Sequence, residues 1–510
     1  MASKSDKTDR IVVPQWKEYK EFATSGELLG HTPNATSIVY FPIDKYIGRW
    51  LSSPSVATAG DLLSAAIMNG QTNNPEVIRA ARYVVERENY GYLTLCKTAR
   101  LLLPKEENVI TEKQPSGVSA KINNLNKEEI YKERISFLRK LINENPNNAL
   151  WYVELSRCYV NLGLVKKAEM SMKTAVYLAP NSRYVSRSAA RMFLHSGDKE
   201  RAHYVLTHNQ AFMHDPWLIA SEIAVNAANN RGSRFIKHGL NLINSGHYSP
   251  FELTELTSAI GTNELAYSTK KAKQLLNQSL VAPNANSWAQ AEWLSDRNKS
   301  LGLSIGHQPE LVKKNYEGQA LAAFANQQYE DALDFSIDWI SEMRFAKRPI
   351  YFATDMAYVY QDRYKDAIRI LQLGCKMNPR EIEFKNNLAY AYALNNQVDD
   401  AERELNELFG MPSSDNPDTI ICAIATGGLI EFRKGHADIG RQMYQTAIDT
   451  ATDRREKELA DKARLNLIRE ELLADPNCDK SILAPLDKLS TGDKRETEAM
   501  KQKILRLVHD

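Results

Sequence analysis

The stretch ALWYVELSRCYVNLGLVKKAEMSMKTAVYLAP, residues 149–180, decides the fold. Its first half carries one apolar stripe at the three- and four-residue spacing of a helix: Tyr152, Leu155, Tyr159 and Leu162. Gly163 predicts the end of that helix, because glycine tolerates the left-handed conformation of a helix C-terminus. A second stripe starts at Ala168 and closes at Pro180, since proline cannot continue a helix. The stretch therefore predicts two helices joined by a tight turn.

Short strings ending in alanine repeat this unit along the chain. They are VKKA (165–168), KERA (199–202), YEDA (329–332), YKDA (364–367) and VDDA (398–401). The first two alanines are 34 residues apart, and the last three are 35 and 34 residues apart. Other landmarks keep the same step, as from Gly163 to Gly197. A fixed period of this length predicts stacked helix pairs, each of which buries its apolar face against its neighbours.

The repeat resembles the tetratricopeptide-repeat family, whose unit is a 34-residue helix-turn-helix with set places for large, small, aromatic, Gly, Ala and Pro residues. The resemblance is strong in residues 147–180, 348–379 and 382–412 and fair in residues 181–214, 313–345 and 421–450. Between 215 and 310 the register drifts, and residues 284–310 are mostly unexplained. The resemblance implies an all-α fold, a right-handed α-solenoid of antiparallel helix pairs with a less regular N-terminal region.

The expected organisation has five parts. Residues 1–57 are an arm, partly extended, in which Ser37–Phe41 is either a short strand or an extended run. Residues 58–103 are helical, with a pair at 58–69 and 75–89. The polar run 104–126 is a linker. The solenoid spans 127–450, and residues 451–510 are helices that cap the last repeat.

The amino-acid composition limits the cellular compartment and the classes of partner that we expect. Lys+Arg 65 against Asp+Glu 63 leaves a net charge of +2, so no global field attracts nucleic acid or an anionic membrane. The five cysteines form no CxxC pair, which favours reduced thiols and a cytoplasmic compartment. The first residues lack the apolar region of a signal peptide, and no apolar run is long enough to span a bilayer.

Catalytic spacings such as GxxxxGK[ST], HExxH and GxSxG do not occur in the sequence. The histidines at 195, 203, 208 and 214 are not spaced to share one helical face, which disfavours a metal site. We therefore expect no enzyme activity, no cofactor and no metal. An enzyme within residues 1–125 is the least favoured alternative, because that region lacks alternating strands and helices.

The family resemblance implies that the first helix of each pair lines a concave groove that binds peptides or partner helices. On the first clear units this groove would present a set we name the basic strip: Arg157, Asn161, Arg187, Arg191 and His195. Its positive charge predicts an acidic partner segment. The alternative is that these side chains are solvated or paired with neighbours such as Glu154 and Glu200.

The later units would present a second set, which we name the aromatic wall: Phe352, Met356, Asn386, Asn387 and Tyr390. Such a surface suits a peptide whose backbone is held by amides while its side chains pack on rings. The alternative is that Phe352 and Met356 are core residues between helices. The family's clamp for C-terminal carboxylates needs Lys and Asn where Phe352 and Met356 stand, which argues against a chaperone-tail binder.

Two functions follow from different classes. The favoured one is a non-enzymatic scaffold or regulatory subunit that holds a partner protein or peptide in the groove. The alternative is a single-strand RNA binder, since related helical repeats read bases along a similar groove. A pI near 8.1 gives little support to RNA, because RNA-binding domains usually carry a basic stripe. The partner and the oligomeric state stay open.

Overall fold

The computed structural model describes most of the chain, and all statements below concern these residues: 10–17, 43–68, 72, 74–86, 93–103, 117–125, 128–305, 312, 315–411, 417–475, 478, 480–487 and 495–509. The chain divides into two compact units. The smaller unit is residues 19–115, and the larger unit is residues 1–18 with 116–510. Within the described ranges every regular element is a helix.

The smaller unit contains four described helices: α1 (Ile43–Ser52), α2 (Val56–Met68), α3 (Pro75–Val85) and α4 (Leu93–Leu102). The helix pair expected at 58–69 and 75–89 is present as α2 and α3, and the side chain of Asn74 caps α3 by accepting from the backbone N–H of Glu76. The arm expected for residues 1–57, partly extended, contains the helix α1, in which Ile43 and Trp50 lie two turns apart and bury one helical face. The region 37–41 lies outside the described residues.

The larger unit contains the remaining helices. They are α5 (Val118–Leu125), α6 (Glu129–Glu144), α7 (Ala149–Val160), α8 (Val165–Leu178), α9 (Arg183–His195), α10 (Lys199–Thr207), α11 (Pro216–Ala227), α12 (Ile236–Asn244), α13 (Pro250–Glu264), α14 (Thr269–Ser279), α15 (Ala285–Arg297), α16 (Tyr316–Ala325), α17 (Tyr329–Glu342), α18 (Lys347–Asp355), α19 (Tyr364–Met377), α20 (Ile382–Leu394), α21 (Val398–Phe409), α22 (Pro417–Arg433), α23 (Ala437–Asp453), α24 (Lys457–Ala474) and α25 (Arg495–His509). A π-helical segment, Met356–Tyr360, follows α18.

Consecutive helices pack as pairs in the way the repeat predicts. In the pair α7–α8, Gly163 makes the turn with a φ of 72°, a left-handed value that favours glycine. The hydroxyl of Ser156 on α7 donates to the carbonyl oxygen of Ala168 on α8, 2.8 Å away. The repeat alanines are fully buried at each of their places: Ala168, Ala202, Ala332, Ala367 and Ala401. Small residues at these points let two helices approach closely, so the all-α repeat fold predicted from the sequence is confirmed.

The first helices of successive pairs also contact one another, and we call the surface that they form the inner face. One run of such contacts joins α7, α9, α11, α13 and α15, and α15 in turn contacts α16, the first helix of the pair α16–α17. Another joins α20, α22 and α24. α15 spans residues 285–297, a stretch in which no clear repeat is recognisable from the sequence.

The boundary of the linker differs from the expected one. The linker expected at 104–126 is wrong for residues 118–125, which form α5, because Val118, Ile122 and Leu125 share one buried helical face against α17 and α19. Residues 104–116 lie outside the described ranges. At the other end, α25 contacts α24 and also the π-helical segment, so it covers more than the last repeat. Among the described helices, none is both long and apolar enough to cross a membrane.

Candidate functional site

The N-terminal end of the basic strip is buried and held by a carboxylate of the chain. Arg157 is 4% exposed, and its Nε donates to Oε2 of Glu154 at 3.1 Å. Glu154 lies one helical turn before Arg157 and also accepts from Tyr184 at 3.4 Å. The side chain of Asn161 is fully buried, and neither its nitrogen nor its oxygen meets a hydrogen-bond partner among the described residues. An acidic partner would therefore compete with Glu154 for Arg157.

Arg187 is paired across two helices of the inner face. Its Nη2 lies 2.7 Å from Oε2 of Glu255, on α13, and both side chains are largely shielded from solvent. The guanidinium also lies 4.9 Å from the ring centroid of Trp217, close enough for a cation–π contact. The sequence suggested that an acidic group of a partner would bind Arg187. In the structure, Glu255 of the same chain binds it.

Arg191 and His195 meet on the ring of Phe345. The guanidinium carbon of Arg191 lies 5.0 Å from the ring centroid of Phe345, and the His195 ring lies 5.2 Å from it in an edge-on arrangement. Burial, together with the nearby charges of Arg191 and Lys347, lowers the pKa of His195 to about 3. His195 therefore stays neutral near pH 7 and adds no positive charge to the strip.

The first part of the aromatic wall packs into the interior. Met356 is 2% exposed and lies in the π-helical segment. Phe352 is half-buried, with its ring 5.7 Å from Phe324 in a T-shaped contact and 6.4 Å from Trp339. In this structure both residues contribute to core packing between helices, the alternative left open by their sequence spacing.

The wall's amides and tyrosine are satisfied largely within the chain. Asn386 and Asn387 are each 1% exposed, and Oδ1 of Asn386 accepts from the hydroxyl of Thr426 at 2.9 Å. The hydroxyl of Tyr390 donates to Oδ1 of Asn466 on α24, 2.7 Å away. No amide of this pair lies on an open surface.

Helix α25 lies beside this part of the unit. Lys503 donates from Nζ to the backbone oxygen of Tyr358 at 3.3 Å. Glu496 accepts from Nζ of the buried Lys462 at 2.7 Å. Together with Tyr390, these residues help line a small cavity of about 50 Å³. The C-terminal helix therefore occupies space next to the aromatic wall.

Sequence reasoning missed the most elaborate feature of the inner face, residues 10–17, which we name the N-terminal segment. It has neither helix nor strand, and alternate residues are buried: Arg10, Val12, Pro14 and Trp16. The residues between them are half-buried. This pattern is typical of a chain laid along a surface, with every second side chain pointing into it.

Arg10 enters a pocket formed by Asn286 and Gln290 of α15 and Glu317 of α16, which we name the guanidinium pocket. Glu317 accepts from Nε of Arg10 at 2.7 Å and from Nη2 at 2.9 Å. Gln290 Oε1 accepts from Nη1 at 2.7 Å, and Asn286 Oδ1 accepts from Nη2 at 2.9 Å. Arg10 is 3% exposed, so this is a buried, forked ion pair.

The same two amides also hold the backbone of the segment. Nε2 of Gln290 donates to the carbonyl oxygen of Arg10 at 2.9 Å, and Nδ2 of Asn286 donates to that of Val13 at 2.9 Å. At the far end, the Trp16 ring packs at 5.6 Å from Phe345, and Lys17 forms a 3.0 Å ion pair with Glu342. The inner face thus binds both the backbone and alternate side chains of a non-helical peptide.

In the part of the chain that the structure describes, no cluster of three or more His, Cys, Asp or Glu residues could hold a metal ion. Burial raises the pKa of the Cys375 thiol to about 12 and that of Cys422 to about 11, so both thiols stay protonated near pH 7. These cysteines therefore act as packing residues.

Comparison with known protein families agrees with the geometry of the pair α7–α8. Residues 152–182 match the family model of the tetratricopeptide repeat. This stretch of the chain is a tetratricopeptide repeat. No curated protein sequence matches it.

Among solved structures, yeast Tom70 is 15% identical with a TM-score of 0.32, covering 77% of this chain and 94% of Tom70. Human IFIT1, solved as a dimer with PPP-AAAA, is 15% identical with a TM-score of 0.34, covering 77% of this chain and 100% of IFIT1. At TM-scores this low, neither structure bears on what this chain binds.

Proposed function

We propose that this protein is a non-enzymatic scaffold or regulatory subunit whose inner face holds a partner peptide in a non-helical conformation. The observation that supports the proposal is the seating of residues 10–17 on α15 and α16 by Arg10, Asn286 and Gln290. A surface that holds one such segment of its own chain can hold a similar segment of another protein.

The contacts divide into two kinds, as in peptide recognition generally. Hydrogen bonds from Gln290 and Asn286 to backbone carbonyls fix the path of the peptide whatever its sequence. Pockets for alternate side chains then supply specificity. The buried ring of Trp16 adds a large apolar contact at the end of the segment, the kind of residue that dominates binding free energies.

The charge of this site favours a basic partner segment. Glu317 and Glu342 face the two cations of the segment, Arg10 and Lys17. These carboxylates also oppose the RNA alternative, because phosphates would be repelled where the segment lies.

The acidic partner suggested by the basic strip is a separate proposal for a different part of the inner face. Such a partner would have to displace Glu154 from Arg157 and Glu255 from Arg187, both of which are already ion-paired. Arg191 lies over the ring of Phe345 and belongs to neither of these two ion pairs. Loss of an acidic partner on Arg191→Glu would support that proposal.

The test of the main proposal uses the full chain carrying Arg10→Ala and Trp16→Ala, which weakens the hold on its own segment. A fluorescein-labelled peptide of residues 8–19 (TDRIVVPQWKEY) is titrated in, and fluorescence anisotropy is measured. We expect saturable binding to the variant and much weaker binding to the wild-type chain, whose own segment competes. A scrambled peptide of the same composition is the control.

The contradicting result is equally specific. If the variant keeps its helical circular dichroism and binds the peptide no better than the scrambled control, the inner face does not act as a peptide site. A thermal shift on adding the peptide gives a second readout that needs no label.

We also infer a cytoplasmic location, because the structure contains no disulfide among the five cysteines. Cys96, Cys158 and Cys422 are buried as free thiols, which persist in a reducing compartment. Fractionation of cells that express a tagged full-length chain tests this inference.

A further inference from the structure

The guanidinium pocket accepts hydrogen bonds from four of the five N–H donors of the Arg10 guanidinium. Glu317 takes two donors, Gln290 one and Asn286 one, at 2.7–2.9 Å. Arginine presents its donors in a rigid fork that matches a carboxylate with two bonds, whereas lysine presents a compact point charge on a flexible stem. The guanidinium pocket therefore discriminates between cations by their shape as well as by their charge.

Burial makes the pocket selective for what fills it. Glu317 is 6% exposed, Asn286 is 2% exposed and Gln290 is fully buried. Burial alone would raise the pKa of Glu317, but the charge and hydrogen bonds of Arg10 outweigh it and hold the pKa below its ordinary value. A side chain that left the Glu317 carboxylate without its paired donors would leave buried charge poorly compensated.

A second cation makes the occupant replaceable. Nη2 of Arg348 lies 3.6 Å from Oε1 of Glu317, on the same carboxylate that binds Arg10. When Arg10 leaves, Glu317 keeps Arg348 as a neighbour. The carboxylate in the empty pocket is then less well compensated, but it is not an isolated buried charge. That property suits a site whose occupant exchanges.

The site recognises Trp16, at the aromatic end of the segment, less specifically than it recognises Arg10. Trp16 is 1% exposed, yet its indole N–H has no hydrogen-bond acceptor among the described residues. A buried donor without an acceptor costs free energy, so the site gains nothing from the indole nitrogen. The ring is recognised by its apolar surface against Phe345.

We propose that the guanidinium pocket is an arginine-selective specificity site. Residues 10–17 are its internal occupant, which a partner displaces by bringing an arginine followed six residues later by an aromatic residue. This inference rests on the proposed peptide-holding function and names the partner class for the same face. The partner is a peptide with arginine at the first position, a small branched apolar residue two positions later and an aromatic ring six positions later.

The experiment uses the full chain with Arg10→Ala and Trp16→Ala and a set of competing peptides against the labelled 8–19 peptide. The competitors are the unlabelled wild-type peptide and its variants with Arg10→Lys, Arg10→citrulline and Trp16→Phe. We expect the lysine and citrulline peptides to compete at least roughly tenfold more weakly than wild type. The phenylalanine peptide should compete within about threefold of wild type, because the indole N–H is not read.

A protein-side control separates charge from shape. Glu317→Gln keeps the size of the side chain and removes its charge, so in that background the preference for arginine over citrulline should shrink sharply. If the double variant fails to fold, the single variant Arg10→Lys in the full chain replaces it. The wild-type peptide should then raise the melting temperature of that variant, while the lysine peptide should not.

The outcomes distinguish this inference from the proposed function. Binding of the wild-type peptide with the lysine peptide within twofold of it would overturn arginine selectivity and leave peptide holding intact. Failure of every peptide to bind the folded variant would overturn peptide holding itself. Retention of the preference for arginine over citrulline in Glu317→Gln would show that selectivity lies outside this pocket and would overturn the assignment.

Discussion

The indole of Trp16 meets the phenyl ring of Phe345 edge to face, with ring centroids 5.6 Å apart and planes inclined at 62°. The same phenyl ring contacts the guanidinium of Arg191 and the imidazole of His195. Phe345 therefore joins the N-terminal segment to the basic strip on α9. A partner that displaces the segment would change the surroundings of Arg191 and His195 without touching them.

The alternation of burial along the segment gives a matched pair of substitutions. Val12 is 1% exposed, whereas its neighbour Val13 is half-buried. We expect Val12→Asp to lower the free energy of unfolding, measured in urea, by roughly 2 kcal/mol or more, because it buries a carboxylate among apolar side chains. Val13→Asp should cost less than about 1 kcal/mol. Equal losses would contradict the seating of the segment.

The pair Arg187 and Glu255 suits a double-mutant cycle. Their side chains are 13% and 3% exposed, with N and O atoms 2.7 Å apart. Replacing each with Ala, singly and together, should give a coupling free energy of about 1.5–3 kcal/mol. The exposed pair Arg231 and Glu200, at 2.8 Å and 65% and 76% exposed, is the control and should couple by less than about 1 kcal/mol. Similar couplings at both sites would mean that Arg187 is solvated in solution.

The repeat alanines test the register on which the fold prediction depends. Ala168 and Ala367 are fully buried at helix contacts. Ala168→Asp and Ala367→Asp should each destabilise their unit by roughly 3 kcal/mol or more, and the loss should spread first to neighbouring repeats. Ala211→Asp, at an exposed position, should leave the melting curve nearly unchanged. Wild-type melting of both buried variants would place these alanines on the surface.

The sequence predicted the repeat because its signal is local. Gly163 and Ala168 lie within one unit, and their roles follow from turn geometry and helix contact alone. The same signal recurs at Ala202, Ala367 and other equivalent places, so the fold class could be recognised without any long-range contact. Helix α1 was missed although Ile43, Ile47 and Trp50 recur at helical spacing, so its signal was also local.

The candidate site could not be predicted in the same way, because it joins distant parts of the chain. The sequence pointed to Asn386 and Asn387 as amides that bind a peptide backbone, whereas Asn286 and Gln290, on a helix outside the clear repeats, bind the backbone of residues 10–13. Their occupant, Arg10, lies 276 and 280 residues away in the sequence. No periodicity links such residues. A signal was present in RIVVPQWK, residues 10–17, where a tryptophan and a branched apolar run interrupt a polar chain start.

His195 should make stability depend on pH in the acid range. Its pKa in the folded chain is about 3, below the ordinary value near 6.5. Above about pH 6.5 neither state binds the proton, so the residue contributes nothing. As pH falls from about 6.5 towards 3, the unfolded state gains a proton that the folded state does not, and stability is lost.

In urea titrations between pH 7.5 and 5, we therefore expect wild type to lose roughly 1–2 kcal/mol through this residue. His195→Gln should flatten that part of the profile. His208→Gln, at an exposed position, should leave the slope as it is. If His195→Gln keeps the full wild-type slope, other groups carry the acid sensitivity.

Cleavage of the chain within residues 104–116 tests directly how firmly the inner face holds the N-terminal segment. A protease site placed in the polar run 104–116 separates residues 10–17 from the helices that bind them, so only non-covalent contacts join the two polypeptides there. With Arg10 in the guanidinium pocket and Trp16 against Phe345, the fragments should co-elute on gel filtration at micromolar concentration. Arg10→Ala with Trp16→Ala should separate the fragments, because a buried ion pair and a large apolar contact are lost together.

The half-buried neighbours offer the matched control, and Ile11→Ala with Gln15→Ala should leave the fragments together. Immediate separation of the cleaved wild type, or continued association of the Arg10 and Trp16 variant, would show that this segment is not the contact that joins them.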